Sequence, residues 1–208
     1  MGIYLRLFLG GLLLSLLAAC ASMPDGKTDS TRAQSAAQLA KVPSPSAEQP
    51  FHRQGRFAVH AERMNDKPEA VQGGFNWYDN GQQLVLELRN PLGHVMAQLQ
   101  VDDRGAWLQE PRAGMRYGDS ADALAQEIFN QPIPVEGLRY WLRGAAGSQA
   151  SDIRADDQGR LEHARDQGWR VTLEEYDAQG PKRLFLVFHQ GGQRITVRIV
   201  VDADPEVQ

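Results

Sequence analysis

Alternation of apolar and polar side chains is the feature that most constrains how this chain folds. It begins after Phe51 and recurs as far as Val201, with the period of two that is typical of strands burying one face. In one segment, Phe57, Val59 and Ala61 share a side, and the residues between them face the opposite side. The predicted strands cover residues 56–62, 71–78, 84–89, 95–101, 106–109, 160–167, 169–176, 183–189 and 194–201.

A helical pattern interrupts the strands in the middle of the chain. Asp119 or Ser120 can cap a first helix, in which apolar residues between Ala121 and Phe129 line one side. Pro132-Ile133-Pro134 separates it from a second short helix, whose apolar stripe ends at Gly144. An antiparallel meander of about nine to eleven strands generally curls into a barrel or part of one. We therefore expect the helices to form a lid at its mouth or over its concave face.

A targeting segment precedes the alternating region. Residues 7–17 form an apolar run that is shorter than the roughly 20 residues needed to span a bilayer. The run ends in Leu17-Ala18-Ala19-Cys20, which contains the sole cysteine of the chain. This junction resembles a bacterial lipobox, in which the thiol is lipidated and the peptide bond before it is cut. An ordinary secretory signal with an incidental thiol is the alternative. We predict a lipoprotein signal peptide over residues 1–19 and lipidation of Cys20.

The segment from Cys20 to residue 50 has the composition of a flexible linker. It contains no aromatic residue and is rich in Ser, Ala, Gln and Pro, and a coil of this length reaches roughly 30 Å. Ala21 stands where similar lipoproteins retained in the inner membrane carry Asp. This favours the outer membrane of a Gram-negative bacterium, with the protein body facing the periplasm. Residues 51–208 are predicted to form one domain.

Charge and motif content argue against several classes of function. The formal net charge is −4 and no lysine or arginine cluster occurs, so neither nucleic acid nor anionic head groups are expected partners. The five histidines, at positions 52, 60, 94, 163 and 189, lack metal-ligand spacing. No nucleophile elbow or phosphate-binding glycine loop is found in the sequence. We therefore expect no enzymatic activity, no metal and no cofactor.

The connection Asn90-Pro91-Leu92-Gly93 combines turn-forming residues with a leucine that turn geometry does not require. Asn, Pro and Gly suit a tight turn between two leucine-rich strands. Leu92 either folds back onto the core or protrudes and enters a bilayer. Composition alone favours the first interpretation.

Five short segments carry a resemblance to a known family. In chain order they are Asn90-Pro91-Leu92-Gly93, Pro132-Ile133-Pro134, Leu138-Arg139-Tyr140-Trp141-Leu142-Arg143-Gly144, Gly168-Trp169-Arg170-Val171 with Tyr176, and Gly191-Gly192-Gln193-Arg194-Ile195. Together with the lipobox they resemble the LolB family of outer-membrane lipoprotein receptors, over about residues 51–202. The resemblance implies a mainly β fold, an incomplete antiparallel β-barrel of about nine to eleven strands, with a short α-helical lid over an apolar cavity.

The same resemblance implies a function. The monomeric protein would accept acylated lipoproteins from the periplasmic carrier LolA and incorporate them into the inner leaflet of the outer membrane. The family's exposed loop leucine, which is needed for the membrane-insertion step, falls on Leu92, and outer-membrane phospholipid would be a partner. Arg89 and His94 depart from the family pattern by adding charge on either side of the loop.

An apolar cavity is what such a function needs, because an acyl chain in water is unfavourable by about 0.8 kcal/mol per CH₂. Gly73 and Gly74, lying among aromatic residues, suggest room for chains. For any one of the candidates, a place in a solid core is an equally good interpretation. The candidate lining residues are Phe57, Phe75, Trp77, Leu84, Leu86, Leu99, Leu138 and Trp141.

Two other functions fit parts of the sequence. One is a lipid-anchored, lipocalin-like binder of a small hydrophobic ligand. The other is an integral outer-membrane barrel, whose strands would present an apolar outer band and a polar lumen. The helices, the lipid anchor and the linker argue against the integral barrel.

Overall fold

Eleven β-strands and two α-helices make up residues 50–203, the part of the chain that the computed structural model describes. The predicted signal peptide, Cys20 and the linker up to residue 49 lie outside the described residues, as do residues 204–208. The elements are β1 (Phe51–Arg63), β2 (Glu69–Asp79), β3 (Leu84–Arg89), β4 (Val95–Asp102), β5 (Gly105–Glu110), β6 (Gly114–Gly118), α1 (Ala121–Phe129), α2 (Val135–Trp141), β7 (Ser151–Ala155), β8 (Leu161–Asp166), β9 (Trp169–Tyr176), β10 (Pro181–Gln190) and β11 (Gln193–Val201).

All eleven strands form one antiparallel sheet, in the order β6-β5-β4-β3-β2-β1-β11-β10-β9-β8-β7. The first and last strands pair in its middle, with Val59 opposite Val197. Hairpins then lead outward on both sides, so the two edges are β6 and β7, which follow one another in the chain. The sheet is open between these edges. The predicted mainly β, incomplete antiparallel barrel is therefore confirmed.

The connection between the two edges carries both helices, which we call the lid (residues 121–141). Its first helix begins as the sequence predicts: the Ala123 amide donates to the Ser120 side chain at 3.1 Å. The helix ends at Asn130, which has a left-handed backbone with φ of 52°. Helix α1 packs on β4, β5 and β6. The apolar sides of both helices are buried against the sheet.

Polar contacts fasten the lid to the sheet near both ends of the strands. Near the start of β1, Arg139 of α2 donates to both carboxylate oxygens of Asp79, at 3.0 and 2.9 Å. Asp79 is fully buried, so losing this partner would leave a buried charge uncompensated. Near the end of β1, Arg63 donates to the Asn130 carbonyl at 3.3 Å, and Gln131 donates to Glu69 at 3.0 Å. Between these polar contacts the lid rests on hydrocarbon.

The sequence pattern missed the two edge strands, β6 and β7. Each has only five residues, and both are largely exposed on both faces. In β6, Met115 and Tyr117 are exposed although they are large and apolar. Short, exposed strands are typical of sheet edges. With little surface to bury, they carry no period-two signal.

Gly73 shows why a glycine is needed within a central strand. A Cβ at Gly73 would lie 2.0 Å from the Arg89 carbonyl oxygen of β3, beside the register irregularity at Leu88 and Arg89. The space at Gly73 is thus filled by the neighbouring backbone, and it offers no room for an acyl chain. At Gly74 the nearest atom to a Cβ would be 3.6 Å away, an ordinary contact.

We predict that Gly73→Ala destabilises the protein by about 1–3 kcal/mol, because the backbone of β3 must shift to admit the methyl group. Gly74→Ala is the matched control and should change stability by no more than about 0.5 kcal/mol. Urea unfolding monitored by tryptophan fluorescence gives both values. Equal effects of the two substitutions would contradict the close approach of β3.

A second ion pair makes stability depend on pH. Burial favours the protonated form of Asp177, but bonds from the Arg53 guanidinium and from the backbone N–H groups of Gln179 and Gly180 outweigh it, and the pKa of Asp177 is lowered. A carboxyl group whose pKa is lower in the folded than in the unfolded state stabilises the fold above the unfolded pKa of about 3.9. This contribution is lost as the pH falls through the lowered pKa.

We predict that Asp177→Asn lowers the free energy of unfolding at pH 7 and weakens its dependence on pH below about 4. Because Arg53 is buried, removing its anionic partner leaves a buried charge uncompensated, which destabilises the fold. Asp103→Asn, in an exposed turn, serves as the control. Urea titrations at pH 7 and pH 3 measure the difference. An acid response equal to that of the unmodified protein would show that the pair contributes nothing.

Candidate functional site

An apolar cavity lies between the lid and the centre of the sheet, with a volume of about 40 Å³. Strands β1, β2, β3 and β11 form its floor, and the lid with the residue after it forms its roof. Every lining side chain is an aliphatic or aromatic one. The lining residues are Phe57, Val59, Phe75, Trp77, Leu86, Leu88, Phe129, Ile133, Leu138, Leu142, Val197 and Ile199.

Five of the eight candidate residues from the sequence meet at this cavity: Phe57, Phe75, Trp77, Leu86 and Leu138. The other three are fully buried but are not among the lining residues. Leu84 and Leu99 are packed into the core, and the Trp141 indole N–H donates to Asp166 at 3.0 Å.

The sequence list missed seven lining residues. Some of these could have been found from the pattern, because Val59 and Leu88 continue the inward faces of β1 and β3, and Val197 and Ile199 share the inward face of β11. Alternation predicts which face a residue occupies. It does not predict which part of that face the helices cover tightly and which part they leave open.

The small volume has a direct consequence for any acyl chain. A cavity of about 40 Å³ is small for one fatty chain. A chain that entered it would push the lid away from the sheet. The contacts to be exchanged are apolar ones such as the edge-to-face pair of Phe57 and Phe129, whose ring centroids are 5.6 Å apart. Acyl methylenes can replace these contacts without exposing hydrocarbon to water.

The loop between β3 and β4 holds Leu92 away from the core. Leu92 is 82% exposed, so its side chain does not fold back onto the core. Its insertion into a bilayer stays a prediction. The Asn90 side-chain oxygen accepts from the backbone N–H groups of Leu92 at 2.9 Å and His94 at 3.0 Å. The Gly93 amide donates to the Asn90 carbonyl at 2.8 Å, and Gly93 has a φ of 86°. These bonds fix a tight turn that presents one leucine.

The two residues that flank the loop, Arg89 and His94, differ in their surroundings. Arg89 donates to the Glu87 carboxylate at 2.8 Å and to the Gly93 carbonyl at 3.0 Å. It therefore braces the turn from within, and its charge is matched by Glu87. His94 is exposed next to Leu92.

Within residues 50–203, no three His, Cys, Asp or Glu side chains are grouped closely enough to hold a metal ion. Over the same residues, neither helix has the length and apolar character needed to cross a bilayer.

Comparison with known proteins gives the family. A Bordetella petrii protein named outer-membrane lipoprotein LolB is 39% identical over 91% of this chain and 88% of its own length. Proteins of the same name from Bordetella pertussis (37%; 95% and 92%) and Cupriavidus necator (34%; 90% and 90%) are also similar. A LolA superfamily protein from Nitrosomonas europaea matches with a TM-score of 0.37 and 11% identity, over 85% of this chain and 96% of its own. The family model described as outer membrane lipoprotein LolB matches residues 49–203. The chain therefore belongs to the LolB family.

Proposed function

We propose that this protein is a lipid-anchored outer-membrane lipoprotein, facing the periplasm, that accepts acylated lipoproteins from the carrier LolA. Its sheet and lid receive the acyl chains, and its Leu92 loop helps to place them in the inner leaflet of the outer membrane. The observation that carries this proposal is the cavity lined only by aliphatic and aromatic side chains beneath two helices that hydrocarbon could displace. Membership of the LolB family supports it.

Transfer of the cargo would run downhill in free energy. Each buried CH₂ of an acyl chain is worth about 0.8 kcal/mol relative to water. A chain under the lid gains this term but must first separate the lid from the sheet, whereas a chain in the bilayer gains it at no such cost. The membrane is therefore the better solvent for the chain.

Leu92 and Cys20 would contribute differently to membrane contact. Burying one leucine side chain is worth about 1.5–3 kcal/mol, which suits a contact that forms and breaks during delivery. The two or three acyl chains on a processed cysteine hold far more firmly. We therefore assign permanent attachment to Cys20 and transient insertion to Leu92.

We predict that Leu92→Glu leaves uptake from the carrier intact but stalls delivery into the membrane, because a carboxylate at the loop tip opposes insertion into hydrocarbon. The measurement incubates the LolA–lipoprotein complex with the variant and outer-membrane vesicles, and then follows the lipoprotein by sedimentation. The lipoprotein should stay bound to the variant in the soluble fraction.

Two control variants isolate the loop. Gln82→Glu adds the same carboxylate to an exposed turn at the opposite end of the sheet, and delivery should stay normal. Leu92→Met keeps an apolar side chain at the tip and should also deliver. Delivery by Leu92→Glu at the unmodified rate would refute the role given to the loop.

We predict that residues 20–208 with Cys20→Ala, exported behind an ordinary secretory signal, form a soluble body that still folds and still binds lipoprotein. The reason is that all eleven strands pair with one another in one sheet, and they and both helices lie within residues 51–201. Circular dichroism and co-purification with LolA-delivered lipoprotein test this. A variant that fails to fold would show that the N-terminal segment stabilises the sheet. Isolation with a small lipid but never with a lipoprotein would favour a small-ligand binder.

A further inference from the structure

Three buried N–H groups near one end of the cavity have no hydrogen-bond partner. They are Nε1 of Trp77, Nε of Arg53 and Nε of Arg143, which we call the donor cluster. Each of these atoms is shielded from solvent, and an unmade bond at a buried donor carries a penalty. Three such groups in one region need an explanation.

These residues are neighbours in the fold. Trp77 lies directly opposite Arg53 in the pairing of β2 with β1, and both side chains are buried on the inward face. Phe51 lies beside them, with the Arg53 guanidinium carbon 6.0 Å and the Arg143 guanidinium carbon 4.0 Å from its ring centre. Leu142, the residue before Arg143, lines the cavity together with Trp77. The donor cluster therefore adjoins the apolar cavity.

The acceptors of this region are already in use. Asp79 accepts from Arg139, and Asp177 accepts from Nη1 of Arg53. Nη2 of Arg53 donates to the Pro181 carbonyl at 2.9 Å. Arg143 donates to the Asp79 backbone carbonyl at 3.2 Å and pairs with no carboxylate among residues 50–203. What is unsatisfied is a set of donors, so the complementary ligand brings acceptors.

Trp77 is the member of the donor cluster that also lines the cavity. Its indole nitrogen is the sole polar side-chain atom among the lining residues. The other buried tryptophan of the lid region, Trp141, has its indole bonded to Asp166. Among these two tryptophans, the one without an indole partner is therefore the one whose ring lines the cavity, and its N–H is covered while the lid is closed.

We propose that the donor cluster binds the carbonyl oxygens of the ester or amide groups that join acyl chains to the lipoprotein, with Trp77 as the principal donor. This inference rests on the proposed function, because it assigns the polar end of the acyl chain to one end of the same site. The hydrocarbon lies under the lid, and the linkage lies where Arg53, Trp77 and Arg143 meet. The site then distinguishes acyl chains from plain hydrocarbon.

The test compares two synthetic lipopeptides with the same peptide and the same chain length, one ester-linked and one ether-linked. The ether lacks the carbonyl oxygens and is otherwise similar. Binding to the full mature chain carrying Cys20→Ala is measured by fluorescence titration. One neutral hydrogen bond corresponds to about threefold to tenfold in affinity, so the ester should bind tighter by that factor.

Trp77→Phe keeps an aromatic ring and removes the N–H, so it should bring the ester-to-ether ratio close to one. Phe75→Leu is the matched control: it alters the same strand and the same lining without removing a polar atom. It should weaken both ligands alike and preserve the ratio. A ratio that survives Trp77→Phe overturns the proposal.

A second measurement needs no substitution in the donor cluster. In the same mature chain carrying Cys20→Ala, the indole ¹H–¹⁵N signal of Trp77 should move downfield with the ester and not with the ether, while the signal of Trp141 stays in place. Equal binding of both lipopeptides would refute the donor cluster alone and leave the lipoprotein role standing. Binding of neither would refute both. A free fatty acid that far outcompetes the ester would identify the ligand as a carboxylate, which also overturns the proposal.

Discussion

Pairing of the first strand with the last is the constraint on which the rest of this structure depends. Because β1 and β11 lie side by side in the middle of the sheet, each successive hairpin must add outward. The two edges are then consecutive in the chain, and residues 119–150 must pass from one edge to the other. A curved sheet leaves one short route, across its concave face. The topology therefore places the lid over this face. Because the side chains on this face are apolar, the helices that cover it carry an apolar stripe.

The lid is attached in a way that suits displacement. Its polar contacts with the sheet are made at Asp79, Glu69, Arg116 and Asp166. Between them it rests on apolar side chains such as Phe57. Hydrocarbon is the one kind of surface that an acyl chain can replace without loss, whereas a buried ion pair is costly to break. A lid that kept its polar contacts and gave up apolar ones to an acyl chain would exchange one hydrocarbon contact for another. The small cavity marks where such an exchange can start.

Sequence reasoning predicted what depends on local pattern and missed what depends on the assembled sheet. The nine inner strands and the Ser120 cap were within reach, because alternation and capping are local. For Leu92, composition favoured a side chain folded onto the core, and only the family resemblance placed it outside. The short edge strands were not, since they bury too little to leave a pattern. The cavity lining was predicted only in part: Leu84 and Leu99 share the inward periodicity of Leu86, and only packing against the helices separates them. The donor cluster unites residues distant in sequence and was invisible to any local pattern.

The distance along the sheet between the start of β1 and the Leu92 loop can be compared with the reach predicted for the linker. The chain enters the sheet at Phe51, level with Asp79, and Arg89 before the loop is level with Gly74. Five residue steps along β2 separate these levels, or about 17 Å, and the loop extends beyond. A coil of about 30 residues, as the composition predicts for the linker, reaches roughly 30 Å. A flexible linker of that length would let Leu92 and the acyl chains proposed on Cys20 meet the same leaflet, with the sheet turned so that its loop end faces the lipid.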